Sequence, residues 1–203
     1  MTKTVAIENL HGHPDFVHLS TLSGVKIDLR YATTDNFVGR DMYAPFDCAW
    51  LHKQAAHALE QGLTALKSLR PDLSFVVLDT LRPQRVQVQM FNALVGTGLE
   101  MYVANPARGS IHSFGMAVDI SLIDEKGEQL DMGTGFDELV DMSQPELEVQ
   151  FLAAGHLNQT QLDNRHLLRD VMQGAGFFGI NSEWWHFDCG DRNVVRAEFT
   201  RVE

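Results

Sequence analysis

Residues 109–123, with the sequence GSIHSFGMAVDISLI, carry the clearest fold signal in the chain. Gly115 interrupts the segment at a turn, and the alternation of side-chain types over residues 116–123 predicts a β-strand. One face of that strand carries Ala117, Asp119 and Ser121. The opposite face is apolar throughout. The predicted strand therefore holds a carboxylate, Asp119, beside small residues that leave room for a bound ion.

Further strands and helices are predicted on both sides of this segment. Residues 74–79 (SFVVLD) and 183–187 (EWWHF) are predicted strands, and residues 124–128 (DEKGE) form a turn. Apolar residues at helical spacing predict helices over residues 47–69, 83–96, 144–154 and 159–176. Turn-linked strands favour antiparallel pairing, so we predict an α+β fold in which helices flank a small antiparallel sheet.

The composition is that of a globular domain and argues against two classes of partner. The chain has 203 residues, of which 44% are hydrophobic and 21% are charged. We expect one domain over residues 1–203, with residues 1–20 as a candidate loosely ordered segment. The formal net charge of −11 and the absence of a Lys/Arg block argue against nucleic acid or an anionic membrane as a partner. The sequence leaves the oligomeric state open.

The cysteine content and the N-terminus are those expected of a cytoplasmic protein. Cys48 and Cys189 are too few for a disulfide framework, and we expect both to be buried, reduced thiols. The N-terminal residues lack the basic start and apolar run of a secretory signal. No stretch reaches the ~20 apolar residues of a transmembrane helix.

Four polar residues in two separate segments could form a metal site. His112 and Asp119 lie seven positions apart, and Glu183 and His186 flank two tryptophans in SEWWHF (182–187). Two histidines and one aspartate suit Zn²⁺ and leave a fourth position for water, for which Glu183 would be the general base. The alternatives are structural: a turn aspartate that faces solvent, and an aromatic core stripe with a solvated glutamate.

Arg82 lies in the segment LDTLRPQRVQ (78–87), at the predicted turn between a strand and a helix. An arginine before proline is often a turn residue with a solvated guanidinium. At the carboxyl end of a strand, Arg82 could instead point into a site and stabilise an oxyanion. The sequence pattern leaves both interpretations open.

Several motifs together match one protein family. The pattern SxHxxGxAxD is complete from Ser110 to Asp119, and ExxH is complete from Glu183 to His186. Four further blocks occur in the family order: DLRYATTDNFVGRDMY (28–43), RPQR (82–85), DMGTGFDE (131–138) and NRHLLRDVMQGAGF (164–177). The chain thus resembles the zinc-dependent D-alanyl-D-alanine dipeptidases, the group that contains the vancomycin-resistance dipeptidases.

The resemblance implies a compact α+β fold, shared with zinc D,D-carboxypeptidases and hedgehog domains. It implies one zinc ion per chain, held by His112, Asp119 and His186. It further implies that Glu183 is the catalytic base and that Arg82 faces the scissile carbonyl. The implied reaction is hydrolysis of the small dipeptide D-Ala-D-Ala, a reaction of cell-wall metabolism.

The resemblance also implies a set of substrate contacts. Asp137 would lie near the substrate ammonium, the loop around Ser110 would face the carboxylate end, and Tyr31 and Tyr43 would line the site. The chain departs from the common family pattern at Leu81, Phe114 and Gln144, which bears on substrate preference. Two alternatives remain: a D,D- or L,D-carboxypeptidase acting on peptidoglycan peptides, and a catalytically silent zinc-binding module that recognises a partner.

Overall fold

The structure is a computed structural model that describes residues 3–203, with the backbone alone at Met101. Its strands are β1 (Thr4–Val5), β2 (Phe16–His18), β3 (Val25–Ile27), β4 (Trp50–His52), β5 (Ser74–Asp79), β6 (Ala117–Ile123), β7 (Phe177–Gly179), β8 (His186–Cys189) and β9 (Arg201–Val202). Its α-helices are α1 (Lys53–Leu69), α2 (Gln84–Leu94), α3 (Glu148–Ala153), α4 (Gln159–Gly174) and α5 (Arg192–Glu198).

A five-stranded sheet in the order β3-β5-β6-β8-β7 forms the centre of the fold. The pairs β5–β6, β6–β8 and β7–β8 are antiparallel, as the sequence predicts, whereas β3 runs parallel to β5. The α+β prediction is confirmed, but the sheet is mixed rather than wholly antiparallel. The parallel pair is possible because the chain between β3 and β5 crosses over through α1, and parallel strands require such a long connection.

The apolar face of the sheet packs against α1 and α4. Phe75 and Val77 on β5 lie opposite Leu122 and Ile120 on β6, so the four side chains share one face. All four are fully buried, and α1 and α4 contact both this sheet and each other. Burying each such side chain contributes about 1.5–3 kcal/mol, which fixes the position of the sheet under the helices.

A β-bulge at the carboxyl end of β5 changes which side chains lie on the other face. Val77 pairs with Ile120, but the next paired residue is Asp79, opposite Asp119, so Leu78 is the extra residue. In a regular strand Asp79 would share the face of Val77. The bulge turns it to the face of Asp119 instead, so that two carboxylates lie together at this end of the sheet.

The N-terminal segment is part of the fold, in contrast to the loose order suggested for residues 1–20. Strand β1 pairs with β9, and β2 pairs with β4. Leu10 and Leu19 are fully buried. Strands of two or three residues whose partners lie far along the chain leave little local signal, which explains the difference. Met1 and Thr2, which belong to the same suggested segment, lie outside the described residues.

The helices largely follow the predicted ranges, with differences at their ends. Helix α1 begins at Lys53 rather than at residue 47, because residues 50–52 form β4. The side chain of His52 accepts a hydrogen bond from the backbone N–H of Gln54 at 3.3 Å and so caps α1. The predicted helix at 144–154 is reduced to the short α3, and α5 has no counterpart among the predicted helices.

Two further sequence expectations can be compared with the described residues. Cys48 and Cys189 are both free and buried, as expected. Over residues 3–203, every helix is too short or too polar to cross a membrane.

Candidate active site

Three side chains on adjacent elements converge at one end of the sheet. His112 lies on a 3₁₀ turn, Ile111–Phe114, that leads into β6. Asp119 on β6 and His186 on β8 are direct cross-strand partners, so their side chains share one face. Gly115 ends the turn with a φ of 63°, and a Cβ there would lie 2.7 Å from a backbone nitrogen of the neighbouring strand. A glycine is therefore required where His112 is turned toward the sheet.

The three side chains present ligand atoms at the spacing of a tetrahedral metal site. Nδ1 of His186 lies 2.9 Å from Oδ1 of Asp119 and 3.2 Å from Nε2 of His112. Nε2 of His112 lies 3.4 Å from the same oxygen. Tetrahedral zinc with bonds of about 2.0–2.1 Å separates its ligands by about 3.3 Å. The donor set and its dimensions therefore fit Zn²⁺, and among residues 3–203 this is the group found to be capable of holding a metal ion.

Hydrogen bonds on the far side of each imidazole orient the ligand nitrogens. Nδ1 of His112 lies 2.6 Å from the carbonyl oxygen of Thr80, to which it donates. Nε2 of His186 lies 2.9 Å from Oδ1 of Asp188. A proton on these outer nitrogens leaves the inner nitrogens free to bind a metal. Asp188 was not predicted from the sequence, although a strand places residues 186 and 188 on one face, which could have indicated the pair.

Asp188 is itself held by a cation. Its Oδ2 accepts hydrogen bonds from Arg192 on α5. Burial opposes ionisation, but the charges and hydrogen bonds of His186 and Arg192 lower the pKa of Asp188 to about 2. The carboxylate is therefore ionised at neutral pH and can accept a hydrogen bond from Nε2–H of His186.

Glu183 lies three residues before β8, which begins at His186 rather than at residue 183 as predicted, and Glu183 is buried. Burial raises its pKa to about 7, and the nearby carboxylates of Asp119 and Asp188 act in the same direction. His186 and Arg82 oppose the rise. A carboxyl group with a pKa near neutrality can both accept and release a proton under working conditions, which is what a general base requires.

Arg82 is buried and held in place by side chains rather than solvated at a turn. Its Nε and Nη2 donate to Oδ2 of Asp79 at 3.1 and 2.6 Å, and its Nη1 donates to Oε1 of Gln87 at 3.2 Å. Nη2 lies 3.6 Å from Oδ2 of Asp119. The hydroxyl of Tyr43 donates to the other oxygen of Asp79. The bulge in β5 thus supplies the carboxylate that fixes Arg82 beside the metal-ligand group.

Asp137 forms a second, separate feature of the site. Its backbone adopts a left-handed conformation with a φ of 60°, and its Oδ2 is buried without a hydrogen-bond partner among the described residues. Burial raises the pKa of Asp137, whereas the neighbouring Tyr31 lowers it. A buried carboxylate without a partner is costly, so the site favours a ligand that brings a cation to this oxygen.

The loop that carries Asp137 is clamped by an arginine of α4. Arg165 is buried and donates to the carbonyl oxygens of Met132 and Met142 at 2.7 and 3.0 Å. It also donates to Oγ1 of Thr134 at 3.2 Å, and Nε1 of Trp184 donates to the same oxygen at 2.9 Å. Thr134 thereby joins the loop to the residue after Glu183. The block NRHLLR in α4 thus has a structural explanation.

These elements enclose a cavity of about 230 Å³. Of the residues singled out from the sequence, its walls contain Tyr31, Arg82, Ser110, His112, Asp119, Asp137, Glu183 and His186. Tyr43 does not line the cavity and acts instead through Asp79. Leu81, Phe114 and Gln144 do not line it either, although Nε2 of Gln144 lies 3.5 Å from the hydroxyl of the lining residue Tyr102.

Comparisons with known proteins agree on one family. A family model described as D-ala-D-ala dipeptidase matches residues 14–202. The chain is 38% identical to the D-alanyl-D-alanine dipeptidase of Escherichia coli K12, over 81% of this chain and 78% of that protein. It is 30% identical to the D-alanyl-D-alanine dipeptidase of Enterococcus faecium, over 87% of this chain and 91% of that protein.

A solved structure supports the fold assignment. The LdcB LD-carboxypeptidase aligns with a TM-score of 0.50 at 17% identity, over 90% of this chain and 71% of that chain. At this identity the likeness concerns the fold alone.

Proposed function

The chain belongs to the D-alanyl-D-alanine dipeptidase family and is a peptidase, and from this premise we propose that it hydrolyses D-Ala-D-Ala to two D-alanines with one zinc ion per chain. The observation that carries the zinc assignment is the spacing of the three ligand atoms of His112, Asp119 and His186, which lie 2.9, 3.2 and 3.4 Å from one another. His₂Asp is also a donor set that leaves a coordination position open for catalysis.

The reacting centre is formed by Glu183 and Arg82 beside the three ligands. A zinc ion bound there supplies Lewis-acid polarisation of the scissile carbonyl and increases the acidity of water. Glu183 accepts the proton of the attacking water and passes it to the leaving amine, a role supported by its burial and raised pKa. Arg82, held by Asp79, directs its guanidinium at the oxygen on which negative charge develops.

The two ends of the substrate are held by different walls of the cavity. Asp137, beside Tyr31, pairs with the α-ammonium, which would satisfy the otherwise unpartnered Oδ2. The loop around Ser110 faces the carboxylate end. This arrangement favours a free dipeptide over a longer peptide, because an acylated amino end carries no charge and leaves Oδ2 of Asp137 buried without a partner.

The carboxypeptidase alternative makes the opposite prediction for acylated substrates. We expect kcat/KM for D-Ala-D-Ala to exceed that for N-acetyl-D-Ala-D-Ala by roughly 30-fold or more, because loss of one partner of a desolvated charge pair commonly costs about 2–5 kcal/mol. Release of free D-alanine by the zinc-loaded protein measures this ratio, counted as two molecules per turnover of D-Ala-D-Ala and one per turnover of the acetylated dipeptide. Equal values would identify a carboxypeptidase, and hydrolysis of neither substrate would favour the silent zinc-binding module.

A further inference from the structure

Three arginines gather on one side of the candidate active site. Arg108, which lies two residues before Ser110, and Arg192 and Arg196 on α5 all line the site cavity. The same three residues also line an adjoining cleft of about 740 Å³ that opens toward solvent. This arginine cluster is notable in a chain whose formal net charge is −11.

The charges of the cluster are only partly balanced by the protein. Arg192 is paired with Asp188, which also lines the cavity. Arg196 donates to the carbonyl oxygens of Gly109 and Arg192 at 3.1 and 3.4 Å, and both of these acceptors are uncharged. Among the described residues, neither Arg108 nor Arg196 forms an ion pair. Burial and the like charges of Arg108 and Arg192 lower the pKa of Arg196.

Asp191, the other acidic residue near the arginines, does not change their charge balance within the site cavity. Asp191 lines the outer cleft but not the cavity. Its Oδ1 already accepts the backbone N–H groups of Asn193 and Val194, at 2.8 and 3.0 Å, and so caps α5. Within the cavity, three guanidinium groups against the one carboxylate of Asp188 therefore leave two positive charges, and in the outer cleft Asp191 reduces this excess to one.

The cluster lies away from the group proposed to bind the substrate ammonium. The outer cleft is lined by the three arginines and Asp188 but by neither Asp137 nor Tyr31. Asp137 instead lines a separate opening beside Phe37 and Phe136, which contains none of the arginines of the cluster. A dipeptide whose amino end is at Asp137 thus directs its carboxyl-terminal residue toward the arginines and the adjoining cleft.

From this arrangement we infer that Arg108, Arg192 and Arg196 form a second anion-binding subsite, which selects dipeptides whose carboxyl-terminal residue bears an acidic side chain. The inference rests on the proposed dipeptidase function. The α-carboxylate of any dipeptide neutralises one of the two unbalanced charges, and an aspartate or glutamate side chain neutralises the other. The adjoining cleft provides room for a side chain longer than the methyl group of alanine.

The test compares two dipeptides that differ by one charge. D-Ala-D-Glu and D-Ala-D-Gln have nearly the same shape and the same α-carboxylate, so the ratio of their kcat/KM values reports the side-chain charge alone. The zinc-loaded wild-type chain is expected to prefer D-Ala-D-Glu by about tenfold at low ionic strength, because charged hydrogen-bond partners bind more strongly than neutral ones. The preference should fall with added salt, since the cleft is open to solvent.

Variants of the cluster localise the effect. Arg108 is exposed, so Arg108→Gln should fold normally and reduce the preference. The double variant Arg108→Gln, Arg196→Gln should bring the two values of kcat/KM close together. Arg70→Gln is the matched control, because it removes an exposed arginine that pairs with Asp72 at the far end of α1. It should retain the full preference.

Binding measurements separate this inference from the proposed function. Calorimetry with the zinc-loaded Glu183→Gln variant compares the affinities for the same two dipeptides without turnover. Equal affinities and equal kcat/KM values, in a chain that hydrolyses D-Ala-D-Ala, would overturn the anion subsite and leave the dipeptidase assignment intact. Preferential binding of D-Ala-D-Glu by a chain that hydrolyses no dipeptide would support the subsite and overturn the dipeptidase assignment.

Discussion

Replacing Glu183 with glutamine should stabilise the metal-free protein at neutral and alkaline pH while abolishing its activity. Burial raises the pKa of Glu183 from an ordinary 4.5 to about 7. Because the folded state holds this proton more tightly than the unfolded state, ionisation between these two pKa values destabilises the fold. At about 1.4 kcal/mol per pKa unit, the full effect above pH 7 is about 3 kcal/mol, an upper value for the gain on substitution.

The pH dependence of the stability gain distinguishes the buried ionisation of Glu183 from a general effect of removing one negative charge. Below pH 4.5 the carboxyl group is neutral in both states, so Glu183→Gln should gain little there. At pH 8 it should raise the free energy of unfolding by up to about 3 kcal/mol, or the melting temperature by roughly 6–12 °C for a chain of this size. Urea unfolding of the chelator-treated protein measures the free energy of unfolding at pH 4 and at pH 8.

A matched control is Glu125→Gln, which removes the same charge from an exposed turn. We expect it to change stability by no more than about 0.5 kcal/mol at either pH. With zinc bound, the cation favours the carboxylate, so the gain from Glu183→Gln should shrink. A gain of the same size at pH 4 and pH 8, or a loss at pH 8, would show that ionisation of buried Glu183 does not destabilise the fold.

Three further substitutions test other parts of the site. Asp188→Asn should weaken zinc binding about 10- to 100-fold in a chelator competition, since the carboxylate orients a ligand imidazole; unchanged affinity would contradict this. Arg165→Lys should raise KM for D-Ala-D-Ala more than it lowers kcat, because it loosens the loop that carries the ammonium-binding group. Arg169 contacts Glu148 and not that loop, so Arg169→Lys is the control for Arg165→Lys and should leave KM unchanged. Arg82→Ala should lower kcat about 10²- to 10³-fold in steady-state assays, and near-normal turnover would exclude its proposed role.

The sequence predicts the parts of the fold that are fixed by local periodicity. Residues 74–79 form the predicted strand without a change in either end, and residues 159–174 form the predicted long helix, which a capping box at Asn158 and Gln161 begins. The helix predicted from residue 47 fails at its start, because residues 50–52 pair with a distant strand. Pairing with a partner more than thirty residues away overrides local helical spacing.

The sequence likewise predicts some residues of the candidate site and not others. His112 and Asp119 could be paired from the turn at Gly115, and His186 follows from the ExxH motif. The role of Asp79 could not be predicted, because a one-residue bulge at Leu78 turns its side chain to the polar face. The alternation of polar and apolar residues along a strand does not indicate where a bulge occurs. The arginines of α5 were missed for a related reason, since a seven-residue helix has too few turns to show a clear period.

Titrating zinc into the metal-free protein while following D-alanine release from D-Ala-D-Ala shows whether hydrolysis depends on one zinc ion per chain. The site of His112, Asp119 and His186 predicts no activity without metal, a linear rise on addition of zinc, and saturation at about one zinc ion per chain. His112→Ala, titrated in parallel, should neither bind this equivalent tightly nor gain activity. Full activity in the metal-free protein, or an equal response to zinc in His112→Ala, would exclude a zinc-dependent dipeptidase that uses this site.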